Sequence, residues 1–166
     1  MEKNVNDLIV TMAVLAWKSN NERLSKFVGK LTDEQLVRDI APGKNSGSYL
    51  LGHLTAVHDN MLPLLDFSEK LFPQLDKIFV TSPDKAHPQP PVSDLRKMWK
   101  DVTDKLNSRI DATSTTNWFL RHTAVSEDDF EKEPHRNKLN VLLNRTTHLS
   151  YHFGQLILLD GARDNQ

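Results

Sequence analysis

Seven histidines and no cysteine bound the chemistry open to this chain of 166 residues. Two of the histidines lie four residues apart in Thr147-His148-Leu149-Ser150-Tyr151-His152-Phe153-Gly154-Gln155-Leu156. On a helix that spacing stacks two imidazoles on one face, one turn above the other, where both can reach one metal ion. Without cysteine there is no thiolate ligand, no disulfide and no intrinsic thiol nucleophile. Any thiol used by this chain has to arrive with a substrate or cosubstrate.

Spacing alone is a weak signal, because seven histidines in such a sequence give an i,i+4 pair by chance roughly one time in four. Position on the helix adds to it. Leu142, Leu149, Phe153 and Leu156 define a core direction, and His148 and His152 lie on the shoulder of that arc. Val141 and Leu159, seven residues to either side, keep the same strip apolar. Two imidazoles on such a shoulder either each find a hydrogen-bond partner or share a cation, which also removes the cost of charging them when desolvated. On the residues alone both readings stay open.

A useful metal site needs a third ligand from another helix. Of His53, His58, His87, His122 and His135, only the first two fall in long helical patterns. They are five residues apart, about 140° around the axis, so one face presents only one of them. Glu-x-x-His, the mark of a di-iron carboxylate bundle, and His-Glu-x-x-His, the mark of a zincin, are both absent. Gly43-Lys44-Asn45-Ser46 lacks the upstream glycine of a phosphate-binding loop, with Arg38 in its place, and is a polar turn.

Four long helices must position these residues. The first is predicted from Asn4 to Val28, with Val5, Leu8, Met12 and Leu15 as its apolar stripe and Gly29 as its stop. Thr32 and Gln35 form a capping box for a short helix that ends before Ala41-Pro42-Gly43. The second long helix runs over 46–65, capped by Ser46 or Ser48, with Pro63 as a kink or late break. Residues 66–91, with five prolines, are a surface crossover holding a short helical turn near 69–79. Ser93 caps a third helix reaching Ile110, whose outer face mixes both charge signs and is solvated. A second crossover, 113–137, carries one turn capped by Ser126, and the fourth helix runs from 136 or 137 to 159 or 160, before Gly161. No stretch has a strand pattern, and no repeat of 20–50 residues occurs. This is the pattern of a single all-α domain over residues 1–166, a four-helix bundle with long crossover connections.

Composition narrows the function classes. Lys and Arg number 21 against 22 Asp and Glu, so no global basic field holds nucleic acid or anionic lipid. The apolar run Leu8–Trp17 is about half the ~20 residues that span a bilayer, and it lacks the basic lead and cleavage site of a signal peptide. A cytoplasmic protein that binds neither nucleic acid nor membrane is expected.

Leu51-Gly52-His53-Leu54 early in the second helix, combined with His148-x-x-x-His152-x-Gly154-Gln155 on the last, resembles the DinB/YfiT-like superfamily. This is the small damage-inducible helical family, not the DNA polymerase that shares the name. Helix order and the long crossovers extend the resemblance over nearly the whole chain. It implies an up-up-down-down style bundle holding one divalent transition metal, zinc or nickel foremost, through His53, His148 and His152. Gly154 and Gln155 match the family's trailing Gly-Gln, while His58 has no counterpart. Family members with a role resemble thiol-dependent transferases or isomerases, or metal-dependent hydrolases, and homodimers are common among them.

Three neutral imidazoles leave an open metal position, the catalytic arrangement, at which water is acidified towards pKa ~7 or a low-molecular-weight thiol is activated. No general base can be named. Tyr49 and Asn60 share the His53 side of their helix, and Arg145 and Gln155 share the histidine side of theirs; ordinary polar helix positions are the favoured reading of all four. Trp17 or Trp99 could supply the surface of a homodimer. The alternative function is a non-catalytic stress-response or binding module whose metal is structural or sensing.

Overall fold

A computed structural model describes residues 4–160. The regular elements among them are all helical. In chain order they are α1 Val5–Lys30, α2 Asp33–Val37, α3 Gly47–Asp59, α4 Met61–Leu64, α5 Leu75–Phe79, α6 Val92–Asp111, α7 Thr115–Trp118, α8 Glu127–Lys132 and α9 Lys138–Leu156. A 3-10 turn, Ile157–Leu159, extends α9, and the predicted stop at Gly161 lies outside the described residues.

Local chemistry sets most of the helix starts. The Thr32 hydroxyl accepts from the Gln35 N–H while the Gln35 side chain accepts from the Thr32 N–H, closing the predicted capping box on α2. Ser46, Ser126 and Asn137 cap α3, α8 and α9 in the same way. Ser93 does not cap α6: that helix starts at Val92 behind Pro91, which has no side-chain oxygen to offer but restricts the chain ahead of it to extended backbone. The second long helix is interrupted at Asn60, one turn before Pro63. Pro63 has no N–H for the Asp59 carbonyl, so the ladder fails there and α4 is a separate turn.

The four long helices pack as a ring, α3 against α6 and α9, and α1 against both of those. Asn20 meets Ser150 and Phe27 meets Phe153, so α1 and α9 run parallel. Trp17 bonds Asn107 and Trp99 bonds Ser25, so α1 and α6 run antiparallel. Val92 and Leu95 share a core cluster with Leu50, while Leu106 and Ile110 share another with Met61, so α3 and α6 run parallel. The order is therefore up, down, down, up, and the up-up-down-down order implied by the resemblance is corrected. The 16 residues between α1 and α3, with α2 folded against both α3 and α6, turn the chain straight back. The longer segment after α4 instead carries it the length of the molecule to start α6 beside the start of α3.

The rotation of α1 also differs from expectation. Val10, Ala13, Trp17, Asn21, Leu24 and Val28 are buried, whereas Val5, Leu8, Met12 and Leu15 are exposed. A 26-residue helix turns as one body, and the five-turn stripe containing Trp17 and Leu24 outweighs a stripe confined to the first three turns. Trp17 and Trp99 are both in the core, so neither offers a surface for a second copy.

The crossover after α4 is more than surface. Leu75 and Phe79 of α5 are fully buried against α3. Asp59, itself buried, accepts from the N–H groups of Leu71 and Phe72 at 2.8 Å each, tying the crossover to the end of α3. No described helix is long and apolar enough to cross a membrane.

Candidate metal centre

His53 lies midway along α3 and faces α9, on which His148 and His152 lie one turn apart. Where the two helices meet, the three Nε2 atoms converge: 3.3 Å from His53 to His148 and 3.1 Å from His148 to His152. Nitrogens sharing one tetrahedral zinc-type ion at ~2.0–2.1 Å would be about 3.3 Å apart. Among the described residues these three are the cluster of histidine or carboxylate groups with ligand spacing.

The other ring nitrogens explain the orientation. His53 Nδ1 lies 2.7 Å from the Phe79 carbonyl, and His152 Nδ1 lies 2.7 Å from Gln155 Oε1. Both partners are acceptors, so both Nδ1 atoms carry the proton and both Nε2 lone pairs point inward. Only one proton at most, on His148, can stand among three nitrogens. A cation satisfies all three lone pairs at once, and the donor set therefore fits a metal. Burial, followed by the neighbouring His152, His53 and Arg145, pushes the His148 pKa down to about 4. Burial likewise lowers that of His152, against the opposing Gln155 bond. Both rings are consequently neutral and competent to ligate at neutral pH.

Two further features support the site. The Phe79 carbonyl is a backbone atom in the crossover, and its only trace in the sequence is Gly52. A Cβ at position 52 would overlap the Phe79 ring, so the glycine lets α5 approach α3 closely enough for the carbonyl to reach His53. An isolated glycine inside a helical pattern was the available signal. Tyr49 completes this wall, stacked on His53 at 6.4 Å between ring centroids and donating to the Ser82 carbonyl at 2.6 Å.

The remaining candidates separate. Gln155 is an orienting residue rather than an ordinary polar position, whereas Asn60 is tied to Asp76 at 3.0 Å and away from the site. His58 is fully buried between Trp17 and Trp99 and makes no hydrogen bond. His87 contacts Ser82, His135 is exposed, and His122 lines a separate pocket beside Arg145. None of these joins the cluster.

Comparison with curated proteins finds no match for this chain. A family model described as the DinB superfamily matches residues 16–156, which include α3, the crossover carrying Phe79 and all three converging histidines. With that match over most of its length and an all-helical fold to accompany it, the chain belongs to the DinB superfamily.

Proposed function

We propose that His53, His148 and His152 hold one divalent transition metal, zinc or nickel foremost, at the centre of an enzyme that activates water or an exogenous low-molecular-weight thiol. The observation that carries this is the Nε2 triangle, with sides of 3.3 and 3.1 Å and two of its rings anchored through Nδ1. A metal with three imidazole ligands and an open position acts as a Lewis acid and lowers the pKa of water or thiol bound there.

The chain's own residues do the positioning. The Phe79 carbonyl and Gln155 fix tautomer and ring plane, which removes the reorganisation that ligation would otherwise require. Leu54, Leu149 and Phe153, each the next residue in the chain after one of the histidines, are buried in the core, while the histidines are only partly buried, so the outer side is the approach for substrate. Because the sequence holds no cysteine, transfer to or from sulfur requires a thiol cosubstrate, and hydrolysis requires only water. The reaction is of hydrolase or thiol-dependent S-transferase type.

The test is a substrate screen with the metal-loaded chain against esters, amides and thiol-acceptor pairs, repeated with His148→Ala. Turnover that disappears with the metal in that variant supports the reading. Turnover that survives metal loss refutes it.

A further inference from the structure

Arg145 lies three residues before His148 on α9, about one helical turn or ~4.5 Å along the axis. It is half-buried, and its Nε is fully buried with no hydrogen-bond partner. Among the described arginines it stands apart. Arg96, Arg109, Arg121 and Arg136 bond carbonyls or carboxylates, Arg23 lies over the Phe153 ring, and Arg38 acts on Glu34. Arg145 has no hydrogen bond, ion pair or ring partner. Burying the Nε edge of a guanidinium without an acceptor or counter-charge is costly, and the carboxylate of a ligand would supply both.

The space beside it is suited to that. An open pocket of about 550 Å³ is lined by Leu64, His122, Ala124, Val141, Asn144 and Arg145. Its size is within the ~300–1,000 Å³ of small-molecule sites. No carboxylate lines it. His122 presents a second buried nitrogen, Nδ1, without a partner, and Asn144 adds an amide. Arg145 also contributes to lowering the His148 pKa, so its charge is felt at the three-histidine site one turn further along α9.

We infer that this pocket takes the carboxylate of an anionic substrate, which Arg145 grips through its guanidinium fork while the remainder of the molecule reaches the three histidines. One guanidinium with neutral imidazole and amide donors matches the single charge and planar oxygens of a carboxylate. A phosphate dianion would be left under-neutralised. The inference rests on the metal-enzyme reading for the direction in which the substrate extends, and not for the anion site itself.

Two titrations of the full chain test it. The first uses the Co2+-loaded protein and follows the cobalt–thiolate absorption with 3-mercaptopropionate and with neutral 2-mercaptoethanol. The ratio of their dissociation constants, compared between the wild type and Arg145→Gln, cancels the intrinsic difference between the thiols. Losing a charge-assisted pair predicts a roughly 10- to 100-fold smaller preference for the acid in the variant. An equal ratio overturns the inference. If Arg145→Gln does not fold, Arg145→Lys, which keeps the charge without the fork, is expected to lose at least about threefold, and no loss is again contrary.

The second titration adds acetate to the metal-free chain at constant ionic strength and follows the Asn144 amide and His122 ring resonances. Saturable shifts that vanish in the variant support the anion site even where no cobalt–thiolate band forms, an outcome that refutes thiol activation at the metal and leaves the anion site standing. Absent shifts together with an unchanged thiol ratio overturn the anion site while leaving the metal centre intact.

Discussion

His58→Leu should remove one proton's worth of acid lability from the fold. The His58 ring is sandwiched between Trp17 and Trp99, with centroids 4.7 and 4.9 Å away, and neither nitrogen finds a partner. Burial, assisted by the nearby His148, Arg145 and His53, pushes its pKa down to about 3. In the unfolded chain a histidine titrates near ~6.5. The folded value is the lower one, so between these limits the unfolded chain binds the extra proton. Stability is fully present above about pH 6.5 and is lost as the pH falls towards 3. One proton corresponds to about 1.4 kcal/mol per pH unit, or roughly 2–3 kcal/mol between pH 6.5 and 4.5. Leucine fills similar volume and has no proton to take up. Urea unfolding of both metal-free proteins at intervals from pH 4.5 to 7.5 isolates the effect, since carboxylates and the other histidines cancel in the difference. The variant should gain on the wild type by about 1.4 kcal/mol per unit as the pH drops. A difference that does not vary with pH would show that His58 is charged or hydrated in the fold, and would refute the reasoning. Its neutrality matters to the site because a second positive charge behind His53 and His148 would oppose a cation there.

Three further outcomes follow from the geometry. Gln155→Ala removes the acceptor on His152 Nδ1 and should weaken metal binding by about 10- to 100-fold with helicity unchanged, measured by competition with a chromophoric chelator. Gly52→Ala should drive the Phe79 ring and its carbonyl away from α3, costing about 1–3 kcal/mol in denaturant unfolding and lowering metal affinity as well. Unaltered affinity in that variant would mean that the Phe79 carbonyl does not orient His53. Chelation by EDTA should leave far-ultraviolet circular dichroism unchanged and lower the Tm only by the lost binding free energy, because two apolar clusters already fill the interior. Collapse of helicity would favour a structural metal.

The helices were legible because their signals are local. Ser46, Thr32 and Ser126 each announce a start through a side-chain oxygen three residues ahead of its partner, and long-range packing does not override them. The facing of α1 was not local. Two apolar stripes compete on one helix, and which one is buried depends on neighbours that the sequence does not place beside it. The direction of each helix was lost for the same reason, since it depends on how far the segments between them travel. In the site, the i,i+4 spacing placed His148 and His152 together, while the residues left His53 and His58 as alternatives that only the family resemblance separated. The structure supplies the physical difference: His53 stands at the α3–α9 contact, and His58 points between α1 and α6. Phe79 contributes a backbone oxygen, which any residue could provide, so its only mark in the sequence is the glycine at position 52 that lets α5 come close. Arg145 reads as an ordinary polar helix residue until its lack of a partner is seen.

Everything proposed for the site requires a metal standing among His53, His148 and His152. Crystals of the metal-loaded chain, with elemental analysis and anomalous diffraction at the absorption edge of the metal found, test this directly. One ion per chain, with the three Nε2 atoms at ~2.0–2.1 Å for zinc and the Nδ1 bonds to Phe79 and Gln155 intact, is the predicted result. Histidines bridged by water or by a proton, with no anomalous peak after loading with excess zinc or nickel, would contradict it.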